Sequence, residues 1–426
     1  MLAKQIIEKK RDGGELTSEE IQFMVLGATG GQIKDYQVSA WLMAILCRGM
    51  TEAETACLTE VMLGSGSRLQ RCSDRPRVDK HSTGGLGDKT SLILAPLLAC
   101  FDLDVPMLSG RGLGITGGTL DKLESYEGYR CDLQTEEINR QLQEIGCVIT
   151  GTTKDITPAD RYLYALRDVT GTVPSVALIT GSIMSKKLAE SLDALVLDVK
   201  WGSGAFMRSI QQARELESSL IQTGTRMGVV TTSLLTDMNQ PLGRMVGNAC
   251  EVNESLDVLR GGGPEDVREL TLALAAELLV STGRATSQQQ ALPLLQKALD
   301  DGRVLTRYQS MIEAQGGKFR EHLPLARSHT LKASQSGWLA TIEGSTLGHA
   351  IVAMGGGRNQ QSDPVDQRVG FEFMVRVGDQ IESGQPLMRV FYDGSSSQTE
   401  TLICQAQSAL TIVDTPTSPL KLIANH

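Results

Sequence analysis

Two glycine-rich segments carry most of the side chains that could do chemistry. The first reads Val78-Asp79-Lys80-His81-Ser82-Thr83-Gly84-Gly85-Leu86-Gly87-Asp88-Lys89-Thr90-Ser91. A strand-like start runs into lysine, hydroxyls and glycines, and a helix-length stretch follows. Glycines let backbone N–H groups crowd around an oxyanion, and a helix N-terminus adds a positive dipole end. Lys80 supplies a full charge, and Ser82, Thr83 and Ser91 supply hydroxyl donors, so the chemistry is phosphate capture. The spacing is neither a GxxxxGK[ST] loop nor a GxGxxG fingerprint. Taken alone, the segment reads equally well as a surface turn. The second segment, Ser109 to Glu124, repeats the pattern with Arg111, Thr116, Thr119 and five glycines. Successive strands of a parallel sheet end on one edge, so both loops face one ligand. A third group lies on helix faces: Tyr164 with Arg167 at i,i+3, and Ser182 with Lys186 at i,i+4. By themselves these two cations read as solvated helix charges.

The elements that must position these residues follow from the apolar pattern. Thr17 with Glu20 and Thr51 with Glu54 are capping boxes that announce helices, and Val38, Trp41, Leu42 and Ile45 recur at helical spacing. Short apolar runs at 105–108, 194–197 and 229–235 alternate with helix-length stretches, which predicts a parallel sheet covered by helices. Late strand-like runs include Trp338–Ile342, Ala350–Met354 and Phe371–Val377. The expected architecture is multidomain α/β. Residues 1–67 plus about 158–193 form a small all-helical lobe, and residues 68–157 plus about 194–328 form an α/β lobe with a mostly parallel sheet. Residues 329–426 form a C-terminal α+β domain.

The 426 residues carry 41 Lys plus Arg against 50 Asp plus Glu, a net charge of −9. No broad basic field awaits a nucleic-acid backbone, so an anion must be captured locally. Eight scattered cysteines without a CxxC pair read as reduced thiols. The start of the chain shows no signal peptide, and no apolar window is long enough to cross a membrane, so a cytoplasmic enzyme is expected.

Lys-His-Ser-Thr-Gly-Gly at 80–85 and Ser-Gly-Arg-Gly-Leu-Gly-x-Thr-Gly-Gly-Thr-Leu-Asp-Lys-Leu-Glu at 109–124 resemble the signatures of thymidine and pyrimidine-nucleoside phosphorylases. The resemblance spans the chain, including Asp198-Val199-Lys200, 202–206 and 355–358. It implies reversible phosphorolysis of thymidine, deoxyuridine, uridine or a modified analogue, in nucleoside salvage, by a homodimer whose lobes close over the cleft. A phosphoribosyltransferase or nucleotide phosphorylase of the same fold is the alternative. Carried over residue by residue, the resemblance implies that Lys80, Ser82, Ser91, Ser109 and Thr119 hold phosphate. It implies that Tyr164, Arg167, Ser182 and Lys186 hold the pyrimidine, with His81 between base and sugar as proton donor to the departing base. Inorganic phosphate is a co-substrate, and no cofactor or metal is expected. Some relatives hold a structural potassium ion near positions matching Gly87, Leu242 and Glu254, and here Lys89 is placed to stand in for it. The chain departs from the family pattern at Ile115 (usually His), Thr152 (usually Gln), Gly171, Pro174 and Gly181. Ile115 and Thr152 count among the nucleoside-binding candidates, and the lost volume at Thr152, Gly171 and Gly181 suggests a reshaped pocket.

Overall fold

The computed structural model describes residues 1–112, 117–358, 360 and 363–424. Four helices open the chain: α1 (Ala3–Arg11), α2 (Ser18–Thr29), α3 (Asp35–Arg48) and α4 (Glu52–Gly64). Their starts are set locally. Thr17 Oγ1 accepts from Glu20 N at 3.3 Å while Glu20 Oε2 accepts from Thr17 N at 2.8 Å, and Thr51 and Glu54 repeat the exchange at α4. Such caps are worth about 1 kcal/mol each. Glu54 also takes Lys10 Nζ at 2.8 Å and Leu16 N at 2.7 Å, which pins α1 to α4. Ile21, Met24, Val38, Trp41, Leu42 and Ile45 close the core of this lobe.

The chain continues through β1 (Val78–Ser82), α5 (Thr90–Ala99), β2 (Val105–Leu108), α6 (Thr119–Leu123), α7 (Thr135–Ile145) and β3 (Cys147–Thr150). It then returns to the helical lobe as α8 (Pro158–Thr170) and α9 (Val176–Ala189). Crossing back, it forms β4 (Ala194–Trp201), α10 (Ile210–Arg226), β5 (Val230–Asp237), β6 (Met245–Val246), α11 (Asn248–Leu259), α12 (Glu265–Ser281), α13 (Gln288–Asp300) and α14 (Arg303–Ala314). β1 pairs with β4, β4 with β5 and β2 with β3, and a bridge between Arg77 and Asp104 joins the two groups. Five parallel strands thus run in the order β3-β2-β1-β4-β5. Every residue of β2 and β3 is buried, as a sheet covered on both faces requires. After β1 the chain crosses toward β2, and after β4 it crosses the opposite way toward β5. Ligands of open α/β sheets bind in the crevice at the C-terminal ends of two such strands.

Three backbone segments cross between the lobes side by side. Ser67 N donates to Asp155 O and Leu69 N to Ala189 O, each at 2.8 Å, and Ser191 Oγ donates to Leu69 O at 2.8 Å. Thr157 and Ser191, at two of these crossings, hold positive φ values of 45° and 58°.

The C-terminal domain holds β7 (Ser328–Lys332), β8 (Gly337–Ile342), α15 (Gly344–Ala353), β9 (Gly370–Phe373), β10 (Gln380–Ile381), β11 (Pro386–Phe391), α16 (Ser396–Ser408) and β12 (Leu410–Val413). Its antiparallel sheets run β6-β9-β11-β7 and β10-β8-β12, so the α/β lobe lends it a strand. In return, Ile423 bridges Thr236 on β5. The run Ala350–Met354, expected as a strand, belongs to α15 and its C-cap. Leu347, Ala350, Ile351 and Met354 are all buried, a helical i, i+3, i+4, i+7 face that the short apolar run concealed. Likewise β9 stops at Phe373, short of Val377. All eight cysteines are free. Among the described residues no helix is long and apolar enough to cross a membrane.

Candidate active site

The turn after β1 and the start of α5 form the floor of the crevice. Lys80 is buried, its Nζ donating to Thr90 Oγ1 at 2.7 Å and lying 3.4 Å from Asp88 Oδ2 and 3.6 Å from Asp198 Oδ2. Ser82 ends β1 half-buried, accepting from Gly84 N at 3.1 Å, and Ser91 is half-buried in the first turn of α5. Gly87 has φ +80°, and a Cβ there would fall 2.6 Å from Leu242 O, so this turn needs glycine on both counts. Ser109 follows β2, its N–H donating to Thr150 O at 2.8 Å, and Thr119 begins α6; both are half-buried. The two loops are tied together by Lys122, whose Nζ donates to Asp88 O and sits 2.8 Å from Glu251 Oε2. Burial works against the charge of Asp88, yet Lys200, Lys80 and Lys122 hold its pKa well below the usual carboxylate range.

The opposite wall comes from α8 and α9. Arg167 is 2% exposed; it donates to Leu178 O at 2.9 Å and Val173 O at 2.8 Å, and its Nε has no partner. Burial lowers its pKa, and its guanidinium lies 5.6 Å from the Tyr164 ring centroid. Lys186 Nζ donates to Asp160 Oδ2 at 2.5 Å and to Ser182 Oγ at 3.0 Å. Asp160 escaped the sequence reading, although it stands four residues before Tyr164 and seven before Arg167 on one helix face.

Between the walls stands His81. Burial, then the positive charges of Lys187, Lys186 and Lys80, push its pKa well below the ordinary value, with only Asp88 opposing. These surroundings favour the neutral form of the ring. Behind it, Lys187 Nζ contacts Asp79 and Glu190 and donates to Leu108 O at 2.8 Å, all buried. Burial and the neighbouring Asp79 raise the Glu190 carboxyl well above its usual value, against the pull of Lys187.

Lys89 settles the fit of a potassium ion. Its buried Nζ donates to Leu242 O and Met245 O at 2.8 Å and to Glu254 Oε2 at 2.5 Å. These oxygens are already taken by an ammonium, so the residues present do not fit a metal ion there. No group of three or more His, Cys, Asp or Glu side chains placed to hold a metal ion occurs among the described residues.

Of the three positions with lost volume, two do not widen the pocket. Gly171 is exposed at the end of α8 with φ +68°, and a Cβ there would meet nothing within 4 Å; it is a left-handed helix cap. A Cβ on Gly181 would meet Leu58 at 3.3 Å and Met62 at 3.4 Å, so that glycine lets α9 approach α4. Thr152 is half-buried in the loop after β3, beside the lobe crossing. Ile115 lies outside the described residues. A cavity of about 650 Å³, lined by Asp237, Arg244, Glu265, Glu269 and Arg376 among others, holds none of the candidate side chains.

Residues 4–66 match the helical bundle domain of the glycosyl transferase family, and residues 74–305 match that family's α/β domain. Residues 338–413 match the pyrimidine nucleoside phosphorylase C-terminal domain. The chain is 41% identical to pyrimidine-nucleoside phosphorylases of two Staphylococcus aureus strains, bovine RF122 / ET3-1 and USA300, over 97% of either chain. It thus belongs to the pyrimidine-nucleoside phosphorylase family. Anthranilate phosphoribosyltransferase from Thermus thermophilus shares the fold, with a TM-score of 0.60 at 18% identity over 73% of this chain and 99% of that one.

Proposed function

We infer that the protein catalyses phosphorolysis of pyrimidine nucleosides, releasing the free base and a pentose 1-phosphate. One observation carries this reading: the buried ion pair between Lys187, next to Lys186 on α9, and Asp79, next to Lys80 on β1, holds the base-side helix against the strand that bears the first glycine loop. A phosphate cradle and a cationic base clamp share one cleft in this reading, with His81 between them. In this reading Lys80, Ser82, Ser91, Ser109 and Thr119 hold phosphate, and one of its oxygens attacks C1′ as the N1–C1′ bond breaks. The leaving pyrimidine takes the bonding electrons. Arg167 and Lys186 neutralise the charge that builds on its oxygens, which is stabilisation aimed at the transition state. A phosphate dianion beside Lys80 offsets the ammonium charges that depress His81, so the imidazole gains its proton only when phosphate is present and then gives it to the base. Closure about the three lobe crossings brings phosphate to C1′ and excludes water.

Against the phosphoribosyltransferase alternative stand Arg167, Ser182 and Lys186, a donor set suited to pyrimidine oxygens. A homodimer is supported by the exposed apolar side chains Leu26 on α2 and Tyr36 and Met43 on one face of α3. A cytoplasmic place in nucleoside salvage completes the reading. The test is base release from uridine, deoxyuridine and thymidine with and without inorganic phosphate. Release that requires phosphate and yields a sugar 1-phosphate is expected; equal release without phosphate would identify a hydrolase instead.

A further inference from the structure

Lys200 reaches under the phosphate-facing turn from β4. Its stem runs directly below Gly85, where a Cβ would fall 2.6 Å from Lys200 Cδ. The ammonium is fully buried, 2.8 Å from Asp198 Oδ2 and 3.9 Å from Asp88 Oδ2, and it makes no well-aligned hydrogen bond. The same two carboxylates flank Lys80. Both also serve the fold: Asp198 Oδ1 accepts from Thr236 Oγ1 at 2.7 Å, and Asp88 Oδ1 accepts from Thr90 Oγ1 at 2.8 Å at the head of α5. Two negative charges are thus built in beside the place where a dianion would bind. Lys122 is matched by Glu251 and adds no surplus. Lys80 and Lys200 together balance Asp88 and Asp198; without Lys200, the carboxylates would outnumber Lys80 two to one.

We propose that Lys200 is a positioning residue for phosphate capture: by offsetting one of the two charges of the buried Asp88–Asp198 pair while Lys80 offsets the other, it keeps the site neutral rather than negative when phosphate arrives. This rests on the reading of the 80–91 loop as the phosphate site. It differs from a packing role because it makes the two substrates respond differently and makes a carboxylate substitution compensate.

The experiment measures the phosphate and nucleoside KM values and kcat for four variants, with thermal unfolding as a check on folding. Lys200→Met raises the phosphate KM by at least about tenfold, the scale of one unscreened charge at several ångströms in a protein interior, and leaves the nucleoside KM within about twofold. Lys200→Met combined with Asp198→Asn recovers most of the loss. Asp198→Asn alone, which keeps Lys200, lowers the phosphate KM. Equal rises in both KM values, no recovery in the double variant, or an unchanged or raised phosphate KM in Asp198→Asn would each overturn the proposal. Lys80→Met separates the two levels: if it leaves the phosphate KM unchanged, the assignment of the loop itself is wrong.

Discussion

Replacing Lys89 with alanine tests whether an internal ammonium does the work of a bound monovalent cation. The substitution removes a charge that three oxygens surround, two carbonyls and the Glu254 carboxylate. Glu254 is left buried with two backbone donors, Arg244 N at 3.0 Å and Met245 N at 3.1 Å, and one distant cation, Arg244 Nε at 3.9 Å. Breaking a buried ion pair by deleting one partner costs about 3–5 kcal/mol, because the surviving charge is stranded. The truncation also opens a space lined by oxygens and carrying a net negative charge. A cation that enters it stabilises the folded state, by about 2.7 kcal/mol when present at about 100 times its dissociation constant. Potassium at sufficient concentration should therefore recover a large part of the loss.

The assay is thermal unfolding of wild type and Lys89→Ala in potassium chloride and in choline chloride at equal ionic strength, with activity as a second reading. Wild type should unfold at the same temperature in both salts, since its own ammonium fills the seat. The variant should unfold well below wild type in choline and climb back with potassium or ammonium. A wild-type protein that loses stability when potassium is withdrawn would refute the reasoning. So would a variant whose deficit is the same in both salts.

On the facing wall, Arg167→Ala or Lys186→Ala should each lower turnover by roughly 10²–10³-fold, the scale of one lost transition-state donor, in protein that thermal unfolding shows to be folded at the assay temperature; near-normal kcat would remove that residue from contact with the leaving base. The His81 ring, followed by NMR, should be neutral at pH 7 in the free protein because its pKa is depressed, and should gain a proton on addition of phosphate; a ring already charged at pH 7 without ligand contradicts the account. Gly171→Ala should destabilise the protein by about 1 kcal/mol through strain at φ +68°, with an unchanged ranking of nucleosides, whereas Thr152→Gln should alter that ranking.

The proposed phosphate side stands out in the sequence because its parts are contiguous: strand end, glycines, hydroxyls and helix start follow one another in a single line. The proposed base side stands out at helix spacing. What escaped lay on other elements. Asp198 and Lys200 share a face of β4 at i,i+2, and that spacing was the available signal. Without the strand order, nothing says that this face lies beside Lys80 at the point where the crossovers diverge. The glycines at 171 and 181 failed for a different reason. A missing side chain can mark a ligand, a left-handed turn or a close helix neighbour, and only the backbone conformation separates these. The misread run in α15 carries β-branched Ile351 and Val352, which favour a strand locally, but its burial against the C-terminal sheets follows the helical period.

The charges of the cleft are distributed unevenly, and the unevenness fits the chemistry. On the phosphate side every ammonium faces a carboxylate, Lys80 and Lys200 against Asp88 and Asp198, and Lys122 against Glu251. In the proposed reading an arriving dianion therefore meets a neutral site rich in donors. On the base side Lys186 is paired with Asp160, but Arg167 donates only to backbone carbonyls. It forms no ion pair among the described residues, and Asp160 acts only from a distance on its charge. A neutral pyrimidine gains little from it, whereas the same ring with electrons flowing onto its oxygens gains a great deal, because the guanidinium is already desolvated. The stabilisation thus grows as the glycosidic bond breaks, although the chain as a whole carries a net charge of −9.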